Sequence, residues 1–230
     1  MFEKLSVKSM AAAALVAGFL SVGAASAATF NFANITGNDA GNAAAGEAQL
    51  FLDVNESFRG GENTVDFVLR NTDEPGVQML IRRVFFDFGG PPPMLSGGAV
   101  DLTQPATTAG VVFSKITTGA TTLPGGNTVS FETDEAFGST NPRPNDKAVA
   151  PGEQLTIWFA LGGNSFASLL TAITTGEVKV GVHVIAFENG GSEAFAAIAP
   201  IPLPAAGWLM LGMLGVGAVA AHRKRKQTAA

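Results

Sequence analysis

Three stretches of the chain set large apolar side chains at every second position and leave polar or small ones between them. Val65, Phe67 and Leu69 alternate with Thr64, Asp66 and Arg70. Leu155, Ile157 and Phe159 share one face, with Trp158 on the other. Val178, Val180, Val182, Val184 and Ala186 line a third face, which ends in Phe187. A period of two is the mark of a strand buried on one side, because successive side chains of an extended chain point to opposite faces. A chain built this way must find a second apolar layer for those faces to meet.

The rest of the middle of the chain fits the same plan. Residues 48–54 alternate moderately, residues 77–88 form a long apolar strand region broken by Arg82 and Arg83, and residues 110–116 and 127–132 read as two more strands. Residues 30–46, rich in Gly, Ala and Asn, read as a short edge strand and a loop, and residues 133–152 as an exposed loop. Turns separate these runs. Pro124 followed by Gly125 predicts a type II turn, since proline presets φ at the first central position and glycine accepts positive φ at the second. One helix is expected: Phe166, Leu169, Leu170 and Ile173 recur at helical spacing, with Asn164 or Ser165 to cap the start and Gly176 just past the end. About eight strands and one short helix predict a mainly β domain, an antiparallel β-sandwich.

Both ends differ in kind from this middle. Lys4 and Lys8, the apolar run 10–22 and Ala25-Ser26-Ala27 have the order of a secretory signal peptide cut after Ala27, with Ala25 and Ala27 as the small residues of the cleavage site. At the other end, residues 205–221 carry no charge. As a helix they would span about 26 Å at 1.5 Å per residue, a little less than a hydrocarbon core of about 30 Å. Trp208 suits the headgroup level at the outer end, and Arg223, Lys224, Arg225 and Lys226 form the kind of basic cluster that stays on the cytoplasmic side. The expected partition is a signal helix over 1–27, an exported domain over 28–199 and a C-terminal anchor or sorting segment over 200–230, with its transmembrane helix near 205–221.

The exported part is then about 172 residues long, enough for one domain that buries roughly two-thirds of its unfolded surface. The chain has no cysteine, which removes disulfides, thiolate catalysis and cysteine–metal sites. Residues 28–199 hold 18 acidic and 8 basic side chains, a net charge of −10. Such a domain repels a phosphate backbone, so nucleic acid is not an expected partner.

The tail, read as Ile201-Pro202-Leu203-Pro204-Ala205-Ala206-Gly207-Trp208-Leu209, then an apolar stretch, then a basic end, resembles the PEP-CTERM class of sorting signals. It is most similar to the variant called VPLPA-CTERM, with Ile201 where that variant has valine; Pro202, Leu203, Pro204 and Ala205 match. The resemblance implies processing by an exosortase, a membrane transpeptidase-like enzyme of Gram-negative bacteria that make exopolysaccharide. The plain alternative is a single-pass anchor. Within the middle, Val84-Phe-Phe-Asp-Phe-Gly-Gly90, Leu123-Pro-Gly-Gly126, Ala150-Pro-Gly-Glu-Gln-Leu-Thr156, Val180-Gly-Val-His-Val-Ile-Ala-Phe187 and Gly190-Gly-Ser-Glu-Ala-Phe195 resemble, in that order, a recurrent ectodomain of PEP-CTERM proteins. That resemblance spans roughly 45–198 and implies a shared fold and export route, with no activity attached.

Few residues point to chemistry. His183 is the one histidine of 28–199, so a Ser-His-Asp site would have to use it. Ser165 and Ser192 are better read as turn serines. Asp134-Glu135 and Glu188 are the nearest to a glycosidase pair, and Asn38-Asp39, Asp134-Glu135 and Asn145-Asp146 to calcium loops, without the spacing of a known calcium motif. Arg82 and Arg83 read first as an exposed strand face plus an edge charge, and second as a contact for anionic polysaccharide. The function expected is a non-enzymatic surface or matrix protein, without catalytic residues, metal or cofactor, with a structural or adhesive role in a biofilm or exopolysaccharide layer. A carbohydrate-binding module and a secreted hydrolase are the alternatives. The expected location is the inner membrane in transit, then the cell surface or the extracellular space.

Overall fold

A computed structural model describes residues 27–200 apart from 104 and 120. The signal segment with Ala25, the sorting motif Pro202 to Ala205, the apolar stretch 205–221 and the basic cluster Arg223 to Lys226 lie outside the described residues. Ala27 is the first residue of the first strand.

Ten strands are found: β1 (Ala27–Asn34), β2 (Leu50–Arg59), β3 (Glu62–Asn71), β4 (Leu80–Asp87), β5 (Ser96–Asp101), β6 (Phe113–Lys115), β7 (Glu135–Ser139), β8 (Glu153–Ala160), β9 (Lys179–Ile185) and β10 (Ser192–Pro200). Two helices join them, α1 (Ala40–Gln49) and α2 (Phe166–Thr175). Every pairing is antiparallel. The chain is mainly β, as the periodicity predicts. Hydrogen bonding runs unbroken through all ten strands in the order β5-β8-β3-β2-β1-β10-β9-β4-β7-β6, where two separate sheets would interrupt it.

This one sheet rolls over its own core. The predicted faces point inward: Val65, Phe67 and Leu69 from β3, Leu155, Ile157 and Phe159 from β8, and Val180, Val182 and Val184 from β9 are fully buried. Rings from opposite halves of the sheet meet edge to face. Phe86 of β4 lies 5.2 Å from Phe67 and 4.7 Å from Phe159, and Phe137 of β7 lies 6.2 Å from Phe159. Each such pair adds about 0.5–1.5 kcal/mol to the burial of the rings themselves. The two edge strands approach each other without pairing. At that seam Lys115 of β6 reaches Glu135 of β7 at 2.5 Å. A charge on a three-residue edge strand discourages another chain from adding to it.

Four expectations are corrected. The segment read as a short edge strand is β1, which sits at the centre of the sheet between β2 and β10. The loop read after it contains α1, so the described residues hold two α-helices and not one. Asp39 caps α1 by accepting a hydrogen bond from Asn42 N, and a Cβ at Gly46 would collide with the ring of Phe195. A helix of alanines and glycines over one ring has no large apolar residues to show a 3.6 period. The segment 133–152 is not wholly an exposed loop: β7 pairs with both β4 and β6, and Phe137 and Val149 are buried. The strand expected over 127–132 is instead a 3-10 turn at Gly126–Val129. Leu123 and Phe131 on either side of it pack with Phe85, Ala136 and Ala194 as a second, smaller core on the sheet's outer face. Gly181 leaves room for Leu123, whose side chain a Cβ there would strike.

Other readings hold. The turn at Leu123–Gly126 is type II: Gly125 has φ 70° and ψ 0°, and Gly126 N donates to Leu123 O at 3.0 Å. Ser165 caps α2 in a reciprocal capping box with Ser168, and Gly176 closes it at φ 75°.

The core contacts set a clear expectation. Phe86→Ala lowers the unfolding free energy by about 3–5 kcal/mol, the range for a buried phenylalanine, whereas Phe58→Ala, at a position 68% exposed, changes it by less than about 0.5 kcal/mol. Denaturant titration of the two variants beside the parent checks both.

Candidate functional site

His183 lies on the outer face of β9, opposite the valines, and faces Arg83 across the pair between β9 and β4. Burial, then the guanidinium charges of Arg83 and Arg82, hold its imidazole below the ordinary value. Its Nδ1 is buried and has no hydrogen-bond partner. Among the described residues no hydrogen bond joins it to a serine or a carboxylate. The arrangement of a Ser-His-Asp site, with histidine between nucleophile and acid, is therefore not assembled around it.

Several of the serines and acids singled out above have structural tasks. Ser165 is the cap of α2, and the carbonyl of Ser192 accepts from Asn38 Nδ2. Asp134 Oδ2 accepts from Phe88 N, while the adjacent Glu135 pairs with Lys115. Glu188 is exposed. Asp146 sits in a 3-10 turn beside Arg143, 3.9 Å away. Among the described residues there is no group of three or more histidine, aspartate or glutamate side chains placed to hold a metal ion.

Sequence reasoning passed over Glu193. It is buried in β10, and its carboxylate accepts from Thr36 Oγ1 at 2.5 Å, Asp39 N at 2.7 Å, Asn34 Nδ2 at 3.0 Å and Asn38 N at 3.2 Å. Burial alone would raise its pKa; these four donors more than offset that and hold it below the usual carboxylate range. Glu193 thus ties the turn before α1 to the last strand. Its only signal in the sequence is a charge in an otherwise apolar strand end.

Trp158 is the aromatic platform that a sugar-binding face would need. It stands on the outer face of β8, but Arg59 lies over its ring at 5.6 Å from the centroid. Phe51 on β2 is likewise covered by Arg70 at 5.2 Å. Both arginines are pinned by carboxylates, Arg59 by Asp66 and Asp101 and Arg70 by Asp53, at 2.6–3.0 Å. The two rings are packed under ion pairs and offer little open face to a sugar.

One of several surface cavities is a groove of about 310 Å³ on the outer side of β4, β7 and β6. It is lined by Arg82 and Arg83 of β4, by residues 114–118, Lys115 among them, and by residues 138–141. The pairing of β4 with β9 slips between Ile81 and Arg83, which leaves Arg82 at the irregularity. Such a bulge re-aims a side chain. Arg82 Nη1 donates to Ser139 Oγ at 2.9 Å. Burial, then the neighbouring Arg83, lower the Arg82 pKa from its ordinary value. The edge charge expected at this dipeptide is thus a shaped, partly dehydrated basic surface.

No protein-family model matches the chain, and no curated protein and no solved structure matches it.

The half-buried imidazole yields a test with a definite sign. Its folded pKa lies below the ordinary 6.5, so on acidification the unfolded chain takes up the proton first. Stability then falls as the pH drops through 6.5 toward the folded value, by at most about 1.4 kcal/mol per pH unit for one proton. His183→Gln removes that contribution and makes stability less dependent on pH between 7.5 and 5.5. Denaturant unfolding of parent and variant at several pH values checks this; parallel pH profiles would contradict it.

Proposed function

We propose that the chain is a non-enzymatic exported protein of a Gram-negative bacterium, sorted by its C-terminal segment to the cell surface or extracellular matrix. There it acts as a structural or adhesive component of a biofilm or exopolysaccharide layer. The observation that carries this reading is the tail, in which the Pro202-Leu203-Pro204-Ala205 motif, an uncharged stretch and Arg223 to Lys226 follow one another in sorting-signal order. An exosortase-type enzyme is its processing partner, and the inner membrane holds it in transit.

The placement of the strand ends supports the reading. β1 starts at Ala27, and Phe30 pairs with Pro200 at the end of β10. The start of β1 and the end of β10 therefore lie side by side, and cuts after Ala27 and beyond Pro200 take from the described strands only Ala27, which pairs with Asn55. The rolled sheet serves as a sandwich-like scaffold, two halves packed face to face without disulfides. A Ser-His-Asp hydrolase is the weaker reading, because among the described residues no hydrogen bond links His183 to a serine or a carboxylate.

The intact mass of the protein from its native host, measured after cell fractionation, tests the proposal. The expected product begins at Ala28, ends between Pro200 and Ala206, and is recovered from the surface or medium. A product that runs to Ala230 and stays in the inner membrane would overturn the matrix role and leave a plain anchor.

A further inference from the structure

Eight basic side chains lie in residues 28–199. Five of them, Arg59, Arg70, Lys115, Arg143 and Lys179, are within 4.0 Å of a carboxylate. Among the described residues the other three, Arg82, Arg83 and Lys147, have no carboxylate partner. Arg82 and Arg83 are neighbours in the chain and Lys147 comes from a distant segment, and all three meet at one groove. Arg82 and Arg83 line it, and Lys147 Nζ donates to Thr140 Oγ1 at 3.1 Å and to Asn141 O at 3.4 Å, two residues of its lining. No acidic residue is among the lining, although Lys115, which also lines the groove, is paired with Glu135. Two adjacent guanidiniums that are partly buried and unpaired repel each other and lack full hydration, a cost that an anion held between them relieves.

We propose that this groove binds a carboxylate-bearing polysaccharide, one uronic-acid unit at a time, with Arg82 and Arg83 on the carboxylate. The proposal rests on the matrix reading above and names the ligand class for it. Guanidinium geometry matches a carboxylate through two parallel N–H donors. The hydroxyls of Ser114, Thr117, Thr118, Ser139 and Thr140, with the amide of Asn141, supply the donors and acceptors that sugar hydroxyls need. Ile116, packed over Gly138, gives the groove an apolar surface for a ring face. A small inorganic anion would use the charges and leave the hydroxyls idle, so the lining of the groove favours a sugar unit that carries a carboxylate.

Full-length protein in non-ionic detergent is titrated with polygalacturonate, with dextran and with sodium sulfate. The expected result is saturable binding of polygalacturonate that weakens with salt, none of dextran, and no competition by sulfate at equal ionic strength set with chloride. Arg82→Gln and Arg83→Gln each weaken binding about 10-fold and together abolish it, while Arg70→Gln on the opposite half of the sheet leaves it within about 2-fold. Thermal unfolding of each variant shows whether it is folded; if an arginine variant is not, the same loss on Lys147→Gln or on blocking the groove by Gly138→Trp is the result required. No binding of polygalacturonate, binding unaffected by the arginine changes, or equal competition by sulfate would each overturn the proposal. Failure here with the processed protein recovered from the matrix sinks only the groove. A protein retained whole in the inner membrane sinks the matrix reading, whatever the groove binds.

Discussion

The meeting of Phe67, Phe86 and Phe159 is the contact on which the rest of this structure depends. The three rings come from β3, β4 and β8, strands that lie in different halves of one ten-stranded sheet. A flat sheet of this length would leave one apolar face in water. Rolling brings the halves together, and edge-to-face aromatic packing gives the roll a definite depth and orientation. Without a cysteine in the chain, this burial has to supply most of what opposes the loss of chain entropy.

Around that core, buried polar groups decide where the loops go. Gln49 and Asn71 are fully buried and bonded to each other at 2.8 Å. Gln49 also holds both backbone groups of Val77 side, donating to its carbonyl and accepting from its N–H. Asn71 donates to the carbonyls of Met79 and Val149. This small network steers the chain from β3 across to β4, from one half of the roll to the other. Glu193 does the same for the turn before α1. Each group would be costly to bury alone and is satisfied by several partners, so these networks specify a path as much as they stabilise it.

The motifs that resembled a recurrent ectodomain have structural explanations in this fold. Asp87 of the first holds Lys179 at 2.9 Å and accepts from the backbone of Gly89 and Glu132. Leu123 of the second fills the space above Gly181 of the fourth. Glu153 of the third closes its own turn by accepting from Ala150 N, and Glu193 of the fifth anchors the turn before α1. The motifs are pieces that fit one another, and the basic groove lies beside them on β4, β6 and β7.

Periodicity and capping were legible because they are local. The inward faces of β3, β8 and β9, the type II turn at Pro124-Gly125, and α2 with its serine cap and glycine stop each follow from a few neighbouring residues. By itself the sequence determined that the chain is mainly β, which side chains face the core, and that no disulfide holds it. Which strands lie side by side was decided only by tertiary structure. β1 is central because β10 comes back to it from the far end of the chain, and the Asn34–Glu193 bond joins residues 159 apart. Alanine-rich α1 is held by Phe195, β7 by the register of β4, and the loop over Gly181 by a glycine nearly sixty residues away. The grouping of Arg82, Arg83 and Lys147 has the same origin. A contact between distant segments leaves no periodic mark in either one, so packing alone brings such groups together.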